Sequence, residues 1–319
     1  MYYVGIDLGG TNIAAGIVTK DYKIIAKDSV PTLPNRDPEL IIKDMGALCD
    51  RLLAKANISY DEVISAGIAT PGTANSDTGY CEYANNLPFL HFPLADTLKK
   101  YTKFKSVRIE NDANAAAWGE AIAGAAQGVD NSIFITLGTG VGGGIIIDRK
   151  VYSGFNYAGA ELGHMVIQYQ GAQCTCGLKG CWEAYSSATG LIRMTKERMN
   201  ANPDSSMWKW CGGDISKVNG RTAFACMQND GDEAAKEVVD EYIGYLACGL
   251  INIINIFQPE ILSIGGGISK EGEKLMAPLR EHIKAATYGG ADSYIKPTKV
   301  VVASLGNDAG IIGGAVLGV

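Results

Sequence analysis

Apolar residues in this chain come in short blocks punctuated by glycine, and the blocks have strand or helix length. Residues 1–6, 13–18 and 23–29 read as three strands, the first two joined by the tight turn Gly9-Gly10-Thr11. A helix follows over about 38–56, then a buried strand at 63–68 that runs into Pro71-Gly72. Residues 107–110 form another strand, followed by Asn111-Asp112 and an alanine-rich helix at 113–123. The pattern then restarts with a strand at 132–137, a glycine turn at 138–144 and a strand at 145–148. A strand at 261–264 ends in Gly265-Gly266-Gly267, a last strand covers 300–303, and a small-residue helix covers 307–317. Strand–glycine turn–strand thus occurs twice, at 7–11 and 137–144, which implies two similar α/β domains. Residues 200–232, rich in Asn, Asp, Gly and Ser, read as an irregular insertion before a helix from about Asp232. Met207, Trp208 and Trp210 read as a local core within it.

Composition narrows the class. With 319 residues and 47% hydrophobic positions, the chain can build two cores. A net charge of −6 argues against a nucleic-acid or anionic-membrane partner. The longest apolar run, 242–257, is interrupted by Asn252 and Asn255 and is too short for a membrane span, so it reads as a buried helix. The start has no basic region followed by a long apolar run, which argues against a signal peptide. Of eight cysteines, five are scattered without framework spacing, as reduced cytoplasmic thiols would be.

The other three cysteines carry the strongest chemical signal. Cys174, Cys176 and Cys181 lie within eight positions, with His164 upstream and Glu183 just beyond. Three thiolates and an imidazole make a closed set suited to tetrahedral Zn²⁺, so the ion reads as structural. The loop would then present His164 and Glu183 to another group. The plainer readings are a zinc staple with no further duty, or three unrelated buried thiols.

The glycine turns suggest phosphate. In Asp7-Leu8-Gly9-Gly10-Thr11-Asn12, glycines admit phosphate oxygens to the backbone, Thr11 and Asn12 add donors, and Asp7 could hold hydrated Mg²⁺. A hairpin turn uses the same residues. Gly138, Thr139 and Gly140 repeat the logic in the second turn. Gly265, Gly266 and Gly267 offer bare backbone to an adenine or ribose, or serve close strand–helix packing. Asn111 and Asp112 stand at a strand–helix junction, as a helix cap or as a general base for phosphoryl transfer. Glu161 and His164, one helical turn apart, share a face.

Together these residues resemble the ROK family of sugar kinases, and within it the bacterial glucokinase branch. The likeness rests on 7–11, 137–144, the Glu110–Ala117 segment, Gly163-His164, Cys174-x-Cys176-Gly-x-x-Gly-Cys181-x-Glu183 and the ending Gly306-Asn307-Asp308-Ala309-Gly310. The resemblance implies an α/β architecture of two ribonuclease-H-like domains, the actin-like ATPase or sugar kinase fold, with a cleft between them. The small domain would comprise 1–112 and 303–319, and the large one 113–302 with the zinc-binding loop. It implies that Asp112 is the catalytic base, and that Asn111, Asp112, Glu161, His164 and Glu183 bind hexose hydroxyls. Gly72 and Asn86 match the sugar-side loops less specifically. It implies ATP with Mg²⁺, phosphorylation of a hexose at the 6-hydroxyl with glucose the first candidate, and a homodimer. The insertion around 203–222 departs from the family pattern. Alternatives are a kinase for mannose or an N-acetylhexosamine, an ATPase without a small substrate, and a sugar-responsive regulator. The regulator needs a DNA-binding segment ahead of the first turn, for which a start so close to Asp7 leaves no room.

Overall fold

A computed structural model describes residues 1–289 and 294–319. The chain packs as two compact units. The first holds Met1–Phe134, Gly144–Ala160 and Ala303–Val319; the second holds Ile135–Gly143 and Glu161–Val302.

The first unit opens with strands β1 (Tyr2–Leu8), β2 (Asn12–Thr19) and β3 (Ile24–Pro31), then helix α1 (Pro38–Ala56) and strand β4 (Val63–Thr70). Short strands β5 (Thr73–Asn75), β6 (Tyr80–Tyr83) and β7 (Leu90–Phe92) make a small antiparallel sheet. Helix α2 (Leu94–Tyr101), strand β8 (Val107–Asn111) and helix α3 (Asp112–Ala123) follow. The main sheet has the order β3-β2-β1-β4-β8. Strands β1, β4 and β8 run parallel, with Asp7 opposite Ala69 and Thr70 opposite Asn111. Their carboxyl ends therefore share one edge, where open α/β sheets bind ligands.

Local chemistry explains the helix that covers this sheet. Asp37 caps α1 by accepting from Glu39 N, Pro38 starts it, and Asn57 ends it in the left-handed region. Ile41, Ile42, Met45, Leu48, Cys49, Leu52 and Leu53 recur at helical spacing and are buried with Ile6, Ile13, Ile17 and Ile68 of the sheet. Helix α3 packs in this first unit, although the sequence division assigned it to the second domain.

Strands β9 (Ser132–Leu137) and β10 (Val141–Ile147) flank the second glycine turn, and β11 (Lys150–Val151) follows. The second unit continues with helices α4 (Glu183–Ser186), α5 (Ala188–Ala201), α6 (Ser206–Trp210), α7 (Thr222–Asp230) and α8 (Glu233–Phe257). Strand β12 (Ile261–Gly266), helix α9 (Glu273–Ala286) and strand β13 (Lys299–Val302) complete it. The second sheet has the order β11-β10-β9-β12-β13. The final helix, α10 (Ala309–Ala315), belongs to the first unit.

Residues 200–232 are not irregular. They form the end of α5, all of α6 and α7, and a 3-10 turn at Ile215–Lys217. Ser205 caps α6 through Met207 N, and Met207 and Phe224 are fully buried, so the polar composition hides an apolar underside. Asp232 caps α8 through Ala235 N, and Gln258 closes that helix in the left-handed region. Its Val238, Tyr242, Leu246, Leu250 and Ile253 form a buried stripe. Among the described residues, no helix is long and apolar enough to cross a membrane.

Candidate active site

In the first unit, the shared edge of β1, β4 and β8 gathers Asp7, Gly72, Asn111 and Asp112. Asn111, not Asp112, caps α3: its Oδ1 accepts from Ala113 N at 2.9 Å and Asn114 N at 3.2 Å. Its Nδ2 donates to Gly72 O at 3.0 Å, so both ends of the amide are engaged by protein. Gly72 has φ +87, and a Cβ there would lie 2.0 Å from Tyr83 O, so only glycine fits. Asp112 occupies the first turn of α3, where the helix dipole favours a carboxylate, and its Oδ1 accepts from Ala113 N at 2.8 Å.

The buried Glu110 supports this corner, accepting from Asn111 N at 2.9 Å and Asn114 Nδ2 at 3.1 Å. Burial raises its pKa above the usual carboxylate range. Asp7 is pushed up to about 6, chiefly by burial and then by the nearby Asp112 charge. Two carboxylates at such a corner, beside the glycine turn, are hard oxygen donors of the kind Mg²⁺ takes. In that turn Gly9 N donates to Asn12 O at 2.9 Å, and Thr11 and Asn12 are exposed. Asn86 lies beside it: a Cβ on Gly10 would sit 3.7 Å from the Asn86 Cβ.

In the second unit, Gly138 N donates to Gly140 O at 3.0 Å, and Ala188 N at the start of α5 donates to Gly138 O at 2.8 Å. Thr189 Oγ1 donates to Thr139 O at 2.8 Å, so the start of α5 braces the turn. Gly266 has φ +86, and a Cβ there would lie 2.4 Å from Leu137 O; this glycine serves close packing as well as exposure. Gly267 faces open space. Gly265 is buried at the end of β12.

The cysteine loop converges as its spacing predicts. Ligand atoms of His164, Cys174, Cys176 and Cys181 all lie within 4.8 Å of one another. Cys174 Sγ is 3.8 Å from His164 Nδ1, and Cys176 Sγ is 3.7 Å from Cys181 Sγ. A tetrahedral ion with arms of about 2.3 Å to sulfur sets its ligands roughly 3.8 Å apart. The donor set therefore fits such an ion, and 3.7 Å is far beyond a disulfide bond.

Glu161 and His164 are joined across a single 3-10 turn by His164 N donating to Glu161 O at 3.0 Å. Glu161 is exposed and makes no capping bond. Glu183 starts α4, and both its oxygens have donors: Thr175 Oγ1 to Oε1 at 3.1 Å and Val141 N to Oε2 at 3.0 Å. It thus ties the cysteine loop to the strand that leaves the second glycine turn. The neighbouring Trp182 is fully buried and donates from Nε1 to Tyr245 O at 3.1 Å on α8. A Cβ on Gly249 would lie 2.2 Å from that indole, so Gly249 makes room for the anchor.

Sequence reasoning passed over Thr175 and Thr32, and named Glu110 within its segment without giving it a role. Thr175 sits between two cysteine ligands and had a positional signal. Glu110 precedes the Asn-Asp pair and had a weaker one.

The profile of the ROK family matches residues 3–318. The chain is 37% identical to a glucokinase of Halalkalibacterium halodurans, covering 98% of this chain and 93% of that one. It is likewise 37% identical to a glucokinase of Thermotoga maritima, covering 98% and 95%. In three dimensions it is similar to a ROK family glucokinase from Streptomyces griseus crystallised with glucose and AMPPNP. The TM-score there is 0.82 at 34% identity, with 99% of each chain covered. The sugar kinase fold expected from the sequence is the one this chain adopts, and the chain belongs to the ROK family.

Proposed function

We propose that this protein is an ATP-dependent hexose kinase that phosphorylates glucose at its 6-hydroxyl. The observation that carries the reading is the corner of the first unit where Asp7, the Gly9-Gly10 turn and Asp112 meet, with Asn111 holding the helix cap. Asp112 takes the proton of the hydroxyl as that oxygen attacks the γ-phosphorus of ATP. The bond to the bridging oxygen breaks, ADP leaves, and hexose 6-phosphate remains. Gly9, Gly10, Thr11 and Asn12 would bind phosphate oxygens, as would Gly138, Thr139 and Gly140 of the second turn. The ring and ribose of ATP would lie at the Gly265-Gly266-Gly267 turn, against its exposed Gly266 and Gly267. Asp7 would hold Mg²⁺, which neutralises phosphate charge.

Glu161, His164 and Glu183 hold hexose hydroxyls, with Gly72, Asn86 and Asn111 shaping the sugar loops. His164 turns Nδ1 to the thiols, which leaves Nε2 for a hydroxyl. Zn²⁺ on His164, Cys174, Cys176 and Cys181 would fix the loop that presents Glu183. The eight cysteines form no disulfide, in keeping with a reducing cytoplasm. A homodimer rests on family habit, and sedimentation tests it.

A coupled assay over a panel of hexoses, with ³¹P NMR of the product, tests the reading. Turnover of glucose to the 6-phosphate is expected, with mannose and N-acetylhexosamines slower. Phosphate on the anomeric oxygen, or no hexose turned over, would overturn it.

A further inference from the structure

We propose that Thr32 is a positioning residue for the first phosphate turn, acting through one peptide plane. Thr32 follows β3 and is fully buried. Its hydroxyl donates to Gly9 O at 2.6 Å, and its backbone N donates to Thr11 O at 2.8 Å. The second bond continues the β2–β3 ladder; the first is a side-chain contact across 23 residues. The carbonyl and N–H of one trans peptide point in opposite directions. Fixing the Gly9 carbonyl on Thr32 therefore turns the Gly10 N–H the other way. The Cα of Gly10 is itself uncrowded, since a Cβ there would meet only the Asn86 Cβ, at 3.7 Å.

The surroundings hold Thr32 in place. Arg36 donates from Nη2 to Thr32 O at 3.1 Å and pairs with Asp44 of α1 at 2.6 Å. Leu33, directly after Thr32, takes φ +50, a costly conformation for a branched residue. Leu33 is 59% exposed, so the strained backbone does not serve core packing. The loop is bent where Thr32 must reach the turn. The chain from Asp44 through Arg36 and Thr32 to Gly9 thus fixes the direction of a donor that a polyphosphate would meet.

This inference rests on reading the Gly9–Asn12 turn as the phosphate site. Thr32→Val keeps the shape and removes the donor, and Thr32→Ser restores it. Losing one oriented donor to a charged phosphate corresponds to about a tenfold rise in KM for ATP. For Thr32→Val we expect that rise with KM for glucose within about twofold, and for Thr32→Ser a return to within about threefold of wild type. Unchanged KM for ATP, or equal rises for both substrates with a lowered urea midpoint, would overturn the proposal. A second measurement uses the wild-type protein, so it does not depend on the variants folding. The Gly10 amide resonance in a ¹⁵N–¹H spectrum should move when a non-hydrolysable ATP analogue with Mg²⁺ is added. If Gly10 does not move while glucose is phosphorylated, the proposal fails and the kinase reading stands. If Gly10 moves and no hexose is turned over, the proposal stands and the kinase reading fails.

Discussion

At the scale of single residues, the active corner separates capping from chemistry. Asn111 satisfies the first N–H groups of α3, so changing Asp112 leaves the helix start intact. Asp112→Asn keeps an acceptor for Ala113 N and should unfold at the same urea concentration as wild type. Turnover should fall by at least about 10²-fold if Asp112 is the proposed base. Near-normal turnover in this variant would remove Asp112 from the chemistry. Asp7 adds a pH signature. Burial, then the Asp112 charge, raise its pKa from 3.8 to about 6, so the folded state favours the protonated form. The stabilisation is complete below about pH 4 and is lost as pH rises through 6. At neutral pH the ionised Asp7 is a net cost. Asp7→Asn should therefore raise stability at pH 7 by on the order of 2 kcal/mol and flatten the urea midpoint between pH 4 and 6. The same change should depress activity if Asp7 is the proposed donor for Mg²⁺. A midpoint unchanged at pH 7 would argue that Asp7 is better solvated than its burial implies.

At the scale of elements, the cysteine loop and α4 behave as one part. Cys176 is the exposed member of the proposed ligand set, so Cys176→Ser would remove a metal arm with little change to the core. One zinc per chain is expected by atomic emission in wild type, and none in the variant. KM for glucose should rise by about tenfold or more, because the loop that carries Thr175 no longer steadies Glu183. A zinc-free variant with normal KM for glucose would separate the staple from the site. Elements differed in how openly the sequence declared them. Helix α1 was legible at both ends because Asp37, Pro38 and Asn57 are local signals. Helices α6 and α7 were not, because they are short and set among Asn, Asp, Gly and Ser residues. The ligand cluster was legible because its residues are close in sequence and chemically distinctive. Thr32 and its bond to Gly9 were not, because nothing near Thr32 in the chain announces a partner so far away.

At the scale of the molecule, the duplicated strand–turn–strand pattern pointed to two α/β units, but it could not show how the last residues complete the first one. Helix α10 lies against bare backbone on two sides. A Cβ on Gly5 would fall 1.7 Å from Ile311 O, and one on Gly67 would fall 2.0 Å from Gly314 O, both against the sheet. A Cβ on Gly313 would fall 1.7 Å from Ala115 O of α3. The helix is therefore wedged between the sheet strands and the helix that begins with Asp112, and backbone atoms cannot rotate aside as a flexible side chain would. Gly313→Ala should destabilise the protein by about 3 kcal/mol or more through overpacking, read as a lower urea midpoint. Because the displaced contact is on α3, turnover should fall before the protein unfolds. Gly244→Ala is the matched comparison. Gly244 lies inside α8 with nothing within 4 Å of a new Cβ, so alanine should stabilise by about 0.5–1 kcal/mol through helix propensity. Opposite shifts from the same chemical change would locate the constraint in the α10–α3 contact. Equal shifts would mean that glycine at 313 is a matter of propensity alone, and the wedge would have to be abandoned.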